Sequence, residues 1–258
     1  MLFPKRCLSF LINTAGTCSR EFNICFWPYS ILRRKTVRQE VMKHNFTVCV
    51  EGNIASGKTR LLEYFRKFSG IVEVLEEPTR EWRDVQGHNA LASMYQDPAR
   101  WGAMMQSYVQ LTMVKLHTQP QSVPVKMMER SLHSGRYCFI ENLHKSGVMA
   151  NLDYVLLNEW FEWLTTSQDF NVDLIVYLRT RPEVLMERIR SRNRPEEQDI
   201  PMKYLEDLHQ LHEKWLVEKT PFKPTAPVLV LDANQDIATM NQIYEEHKKQ
   251  ILCGLQTT

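Results

Sequence analysis

The chain is predicted to adopt an α/β fold, one doubly wound parallel sheet of five strands flanked by helices. Short apolar runs alternate with longer helical stretches from residue 46 onward. The run Asp173-Leu-Ile-Val-Tyr-Leu178 hardly alternates, as a strand covered on both faces should. A glycine-rich loop, Gly52-Asn-Ile-Ala-Ser-Gly-Lys-Thr59, leaves the first strand and enters a helix.

Residues 46–50 form a buried strand, 58–68 a helix and 71–75 a second strand. A long helix over 98–117 carries apolar residues at Trp101, Met104, Met105, Tyr108, Val109, Leu111 and Met113. A short strand follows at 125–128, then an amphipathic helix at 153–166 and a strand at 173–178. Pro182 opens a helix as a first-turn proline. Residues 201–217 are predicted to be helical, 227–231 form the last strand, and Asp236 caps a final helix.

The 258 residues, 43% of them hydrophobic, suffice for one sizeable core. No apolar run is long enough for a membrane span. Residues 1–45 hold eight Lys/Arg against two Asp/Glu, a net of +6. The whole chain carries +2, so the remainder carries −4. A mildly acidic body argues against bulk nucleic-acid binding. The basic leader, rich in Ser, Thr and apolar residues, suits a mitochondrial transit peptide, with a secretory signal or a plain cytosolic tail as alternatives. The expected division is therefore a leader over 1–45 and one domain over 46–258. Cys49, Cys138 and Cys253 are isolated in sequence, which speaks for reduced thiols rather than disulfides or structural zinc.

The loop matches G-x-x-x-x-G-K-[ST] in full. Gly52 and Gly57 permit a backbone path that turns N–H groups inward, and the helix N-terminus adds partial positive charge. Lys58 is placed to reach β- and γ-phosphates, and the Thr59 hydroxyl to ligate Mg²⁺. A bound nucleoside triphosphate follows, but the acceptor does not. Glu76-Glu77-Pro78 comes directly after the second strand, at the carboxyl end where open parallel sheets bind ligands. One glutamate there can take a proton from an attacking hydroxyl. Trp82 can pack on a flat substrate; a solvated acidic pair beside a core tryptophan is the competing reading.

Further motifs extend this pattern: Met94-Tyr95, Gln106-Ser-Tyr-Val109, Glu129-Arg-Ser131 with Arg136-Tyr137, Arg192 and Arg194 with Glu196-Glu197, and Tyr204-Leu205 through His212-Glu213. Together with the phosphate loop, Glu77-Pro78 and Trp82, and in this order, they make the chain resemble the deoxyribonucleoside kinases over roughly residues 46–232. The resemblance implies a P-loop NTPase-type fold with a helical lid. It implies ATP- and Mg²⁺-dependent phosphorylation of a nucleoside 5′-hydroxyl.

By this resemblance, Gly52, Asn53, Ile54, Ala55, Ser56, Gly57, Lys58 and Thr59 cradle ATP. Arg188, Arg190, Arg192 and Arg194 belong to the lid that closes on it. Glu77 is the proton acceptor and Glu129 its rival, Glu129 and Thr59 hold Mg²⁺, and Arg130 contacts the transferring phosphoryl group. Gln106 pairs with the base edge. Tyr95 and Glu197 hold the 3′-hydroxyl and disfavour ribose. Trp82, Met94, Met105, Val109 and Met113 line the base pocket. Met113 and Gly135 stand where purine- and cytosine-preferring relatives carry Arg and Asp. That implies pyrimidine acceptors: thymidine, deoxyuridine and deoxycytidine.

Ala55, Arg60 and Pro195 depart from the family pattern; Arg60 stands in place of a threonine. A homodimer through the 98–117 and 153–166 helices and a salvage role in mitochondria are the remaining expectations. A nucleoside monophosphate kinase, using Arg80 and Arg83 as phosphate clamps, and a purine deoxynucleoside kinase are the alternatives.

Overall fold

The computed structural model describes residues 45–168 and 170–256. The leader expected over 1–45 lies, apart from Asn45, outside the described residues. Five strands form one parallel sheet in the order β2-β3-β1-β4-β5: β1 (Phe46–Glu51), β2 (Val72–Leu75), β3 (Val125–Glu129), β4 (Leu174–Arg179) and β5 (Val228–Asp232).

β1 is central, with β3 and β4 as its neighbours; Val50 aligns with Glu129 and Val176, and Glu51 with Tyr177. The chain runs first to one side of β1 and then to the other, so a crevice opens beyond its carboxyl end. Both faces of β1 are covered. Val48 and Val50 pack with Leu61, Leu62 and Phe65 of α1 (Lys58–Arg66) and with Met240 and Tyr244 of α10 (Ile237–Glu246). Cys49, with Tyr177 of β4, faces the opposite way. That core takes Met113 from α4 (Pro98–Thr118), Leu185 from α8 (Pro182–Arg192) and Leu205 from α9 (Met202–His212). Covering both faces explains why the strand sequences scarcely alternate.

The caps follow from local chemistry. Asp97 accepts from the Arg100 N–H at 3.2 Å to open α4, with Pro98 in its first turn. Asp236 accepts from the Thr239 N–H at 2.8 Å to open α10, as expected from the sequence.

The structure departs from the sequence reading in three places. The helix read over 201–217 is α-helical only to His212 and continues as a π-helix over Glu213–Glu218. The short helices α2 (Thr79–Arg83) and α3 (Ala90–Gln96) were not anticipated; α3 is capped by Asn89, which accepts from the Ala92 N–H at 2.9 Å. A third stretch was also missed: α5 (Leu132–Ser134) and α6 (Glu141–Lys145), joined by a π-helix over Gly135–Ile140. A π-turn breaks the 3.6-residue period on which helix recognition depends. The remaining helices are α7 (Asn151–Ser167) and α11 (Lys248–Ile251). β1 and β3 each extend one residue beyond the sequence reading, so Glu51 and Glu129 are strand residues.

Candidate active site

The glycine-rich loop bridges β1 and α1. Gly52 has φ 146°, and a Cβ there would meet the Ser56 Oγ at 2.6 Å and the Leu178 carbonyl oxygen at 2.9 Å. Glycine is required at that point. Gly57, at φ 97°, caps α1. Ala55 sits at φ 61°, where a side chain costs about 1–2 kcal/mol.

The Lys58 ammonium donates to the Asn53 carbonyl at 2.8 Å and curls back inside the loop. Burial lowers its pKa to about 8; the neighbouring Arg130 pushes the same way, while Glu129 and Glu77 oppose. The Asn53 side chain serves the scaffold. Its Nδ2 donates to the Leu205 carbonyl at 2.9 Å, and its Oδ1 accepts from the Ile54 N–H at 2.7 Å. The loop is thereby fastened to α9.

A cleft of about 1640 Å³ opens beside the loop, lined by residues 54–59 and by Glu77, Glu129 and Arg130. Arg130 follows β3 at φ 62°, a position that costs a non-glycine residue of order 1–3 kcal/mol. Its N–H donates to the Val50 carbonyl at 2.9 Å, and its Nη1 to the Gly52 carbonyl at 2.8 Å. Its Nε lies 3.1 Å from Glu77 Oε1, an ion pair at the floor of the cleft. Burial raises the Glu77 carboxyl pKa against the pull of Arg130.

Glu129 also lies near Lys58, its two oxygens accepting from the Thr59 hydroxyl at 3.1 and 3.2 Å. This oxygen-only pair suits a hard cation. Among the described residues no cluster of three or more His, Cys, Asp or Glu could hold a metal. A cation bound here would therefore complete its shell with phosphate oxygens and water.

The far part of the cleft is largely apolar. Trp82, Met94 and Met105 form a buried cluster against Tyr95 and Val109, and the Trp82 indole N–H donates to the Thr112 hydroxyl at 3.0 Å. Gln106 is 4% exposed and lines the cleft, and its carboxamide oxygen has no partner. Met113 is buried nearby. A Cβ on Gly135 would stand 3.8 Å from Val109 Cγ1. Tyr95 is half-buried, and burial raises the pKa of its hydroxyl.

Glu197 is gripped by Arg192, at 2.7 Å from Nε and 2.6 Å from Nη2, and by Arg194 at 3.5 Å. Glu196 beside it pairs with Arg83 of α2 at 2.5 Å. Arg188 is tied elsewhere, donating to the carbonyls of Ala233 and Gln235 at 2.9 and 3.0 Å.

Comparison with known proteins decides the family. A model of the deoxynucleoside kinases matches residues 48–253. The chain belongs to the deoxynucleoside kinase family. The kinase is 48% identical over 238 residues to mitochondrial thymidine kinase 2 of Macaca fascicularis, covering 92% of this chain and 87% of that one. It is 50% identical over 215 residues to mitochondrial thymidine kinase 2 of Homo sapiens, covering 83% and 81%. It is 34% identical over 237 residues to deoxycytidine kinase of Mus musculus, covering 81% and 91%. The kinase therefore phosphorylates deoxynucleosides, with ATP as the phosphate donor.

Most residues singled out from the sequence converge on the kinase's cleft. Arg190 does not: it is exposed on α8 and absent from the cleft wall that Arg188, Arg192 and Arg194 help to build. Its place on the helix turns it away from the face that Arg188 and Arg192, four residues apart, share. Gly52 and Asn53 support the loop from beneath rather than lining the cleft.

Sequence reading missed Phe139 and gave Tyr204 a place in a motif but no role; both line the cleft, and the Arg130 guanidinium lies 4.8 Å from the Phe139 ring centre. The π-turn that carries Phe139 hid its register. Glu51, the last residue of β1, has no role in the sequence reading. It is fully buried and accepts from the Ser131 hydroxyl at 2.6 Å, and its second oxygen has no partner. Burial raises its pKa to about 7.

Proposed function

We propose that the kinase transfers the γ-phosphoryl group of ATP to the 5′-hydroxyl of pyrimidine deoxynucleosides: thymidine, deoxyuridine and deoxycytidine. One observation carries this reading. Gln106 presents an unpartnered buried carboxamide oxygen to a cleft whose Met113 and Gly135 bring no charge. A buried acceptor without a partner calls for a ligand donor. A carboxamide offers both a donor and an acceptor, which matches the N3/O4 edge of thymine or, flipped, the N3/N4 edge of cytosine. The names of the relatives, thymidine kinase 2 and deoxycytidine kinase, agree with it.

In this reading Glu77 accepts the 5′-hydroxyl proton as the oxygen attacks the γ-phosphorus, and ADP leaves. Arg130 orients Glu77 and offers positive charge to the transferring group. The ion pair between them supports Glu77 over Glu129, whose oxygens both face the Thr59 hydroxyl. Thr59 and Glu129 would hold Mg²⁺, which would neutralise charge on the β- and γ-phosphate oxygens. Tyr95 and the Arg192-held Glu197 take the 3′-hydroxyl, and Arg192 and Arg194 close over the phosphates.

The monophosphate-kinase alternative loses one of its clamps, because Arg83 is committed to Glu196. A salvage role in mitochondria is supported by the basic leader and by the relatives' names. A homodimer is supported by a contiguous apolar surface: Trp101, Met104 and Leu111 on α4, with Leu156, Trp160 and Trp163 on α7, are all 40% or more exposed.

A panel of deoxynucleosides and ribonucleosides, assayed with ATP and Mg²⁺, tests the reading. Turnover of the three pyrimidine deoxynucleosides well above purines and ribonucleosides is expected. A preference for deoxyadenosine, deoxyguanosine or a nucleoside monophosphate would overturn it.

A further inference from the structure

Arg60 is the third residue of α1, one position beyond Thr59, and its side chain is exposed in the cleft wall. Among the described residues its guanidinium has no hydrogen bond or ion pair. Its setting is electrostatically poor. The first turn of α1 contains no acid, Lys58 lies two residues away, and the helix N-terminus is itself positive. A third cation there is unfavourable until an anion arrives.

The surroundings indicate which anion. Trp82 packs with Met94 and Met105 in the apolar part of the cleft, where the proposed reading puts the acceptor, while Glu77 and Arg130 pair close to Lys58. Arg60 shares the cleft wall with Gln235, Asn241 and Tyr244, the last two on α10, against which α1 packs. Arg60 and Arg188 both act electrostatically on the Tyr244 hydroxyl, which places the two cations around that residue. Arg188 is already spent on the carbonyls of Ala233 and Gln235, whereas Arg60 is uncommitted.

With the γ-phosphate directed at the acceptor and Lys58 on the β- and γ-groups, the α-phosphate is the anion left on the Arg60 side. We propose that Arg60 is a donor-positioning residue whose guanidinium takes the α-phosphate of the bound nucleotide. This inference rests on the reading that the loop holds ATP. Because ADP keeps the α-phosphate, the contact strengthens substrate and product alike.

The test is calorimetric binding of Mg·ATP and Mg·ADP to the full chain and to Arg60→Thr, Arg60→Lys and Lys58→Ala. Loss of a charge-assisted hydrogen bond predicts that Arg60→Thr weakens both nucleotides by the same factor, about tenfold. Arg60→Lys should recover part of the affinity. The KM for ATP should rise with Arg60→Thr while the KM for the nucleoside stays in place, a split that general loosening of the fold would not produce. Undiminished ATP and ADP affinity in Arg60→Thr, with Lys58→Ala weakened, overturns the inference alone. A loss confined to ATP also overturns it, because the contact would then be to the γ-phosphate. If Lys58→Ala binds ATP as the wild type does, the loop reading falls and the inference falls with it.

Discussion

Two carboxylates, Glu77 and Glu129, act on Lys58, and their partners distinguish them. Glu77 meets a guanidinium, and Glu129 meets a hydroxyl. Replacing Glu77 with Gln keeps its size and removes its basicity, so kcat should fall at least about 100-fold while ATP affinity is little changed. Near-normal turnover in that variant would transfer the role to Glu129. Glu51 makes a different prediction. Its carboxyl ionises near pH 4.5 in the unfolded chain and near 7 in the fold, because burial penalises the charge. Between those values the folded state alone keeps the proton. Stability is therefore lost as pH rises through that window, by a few kcal/mol at about 1.4 kcal/mol per unit. Glu51→Gln should show a shallower decline of Tm between pH 5 and 7, measured by thermal melts. An unchanged slope would mean the carboxyl titrates as an ordinary one.

At the scale of elements, legibility tracked regularity. The inner strand β4 was readable because burial on both faces demands an unbroken apolar run, as over Leu174 to Leu178. The phosphate loop was readable because Gly52 and Gly57 answer to backbone sterics that few sequences satisfy. Gln106 acquired a role only through family likeness, since nothing local separates a pocket glutamine from a surface one. Glu51 stayed silent because its partner, Ser131, lies 80 residues away. The π-turn after β3 was invisible and carries both Gly135 and Phe139.

That turn also makes the acceptor pocket testable. The Gly135 backbone is ordinary right-handed helix, and a Cβ there makes only normal contact with Val109. Gly135→Asp is thus compatible with the backbone, and it can supply a counter-charge to Met113→Arg. The double variant should lower kcat/KM for thymidine at least about tenfold, read from initial rates. An unchanged value would refute the view that an uncharged pocket admits the thymine methyl.

For the whole molecule, the most unusual surface is the one shared by α4 and α7. Trp160 and Trp163 stack at 5.4 Å between ring centres while each remains half exposed. Leaving that much aromatic area in water is costly, and a second copy would remove it. On the homodimer reading, the parent should run as a dimer in light scattering and the double variant Trp160→Glu, Trp163→Glu as a monomer. A dimeric variant would show that the surface serves another purpose.

The Arg83–Glu196 pair has a consequence at the same scale. It joins α2, which carries Trp82, to the segment that carries Arg194 and Glu197. The two walls share one mechanical link. On the proposed reading, an ill-fitting base that pushes α2 outward would also draw Arg194 away from the phosphoryl group. A poorly matched nucleoside is then penalised twice, once in residence time and again in the rate of the chemical step, so discrimination can exceed what binding alone supplies.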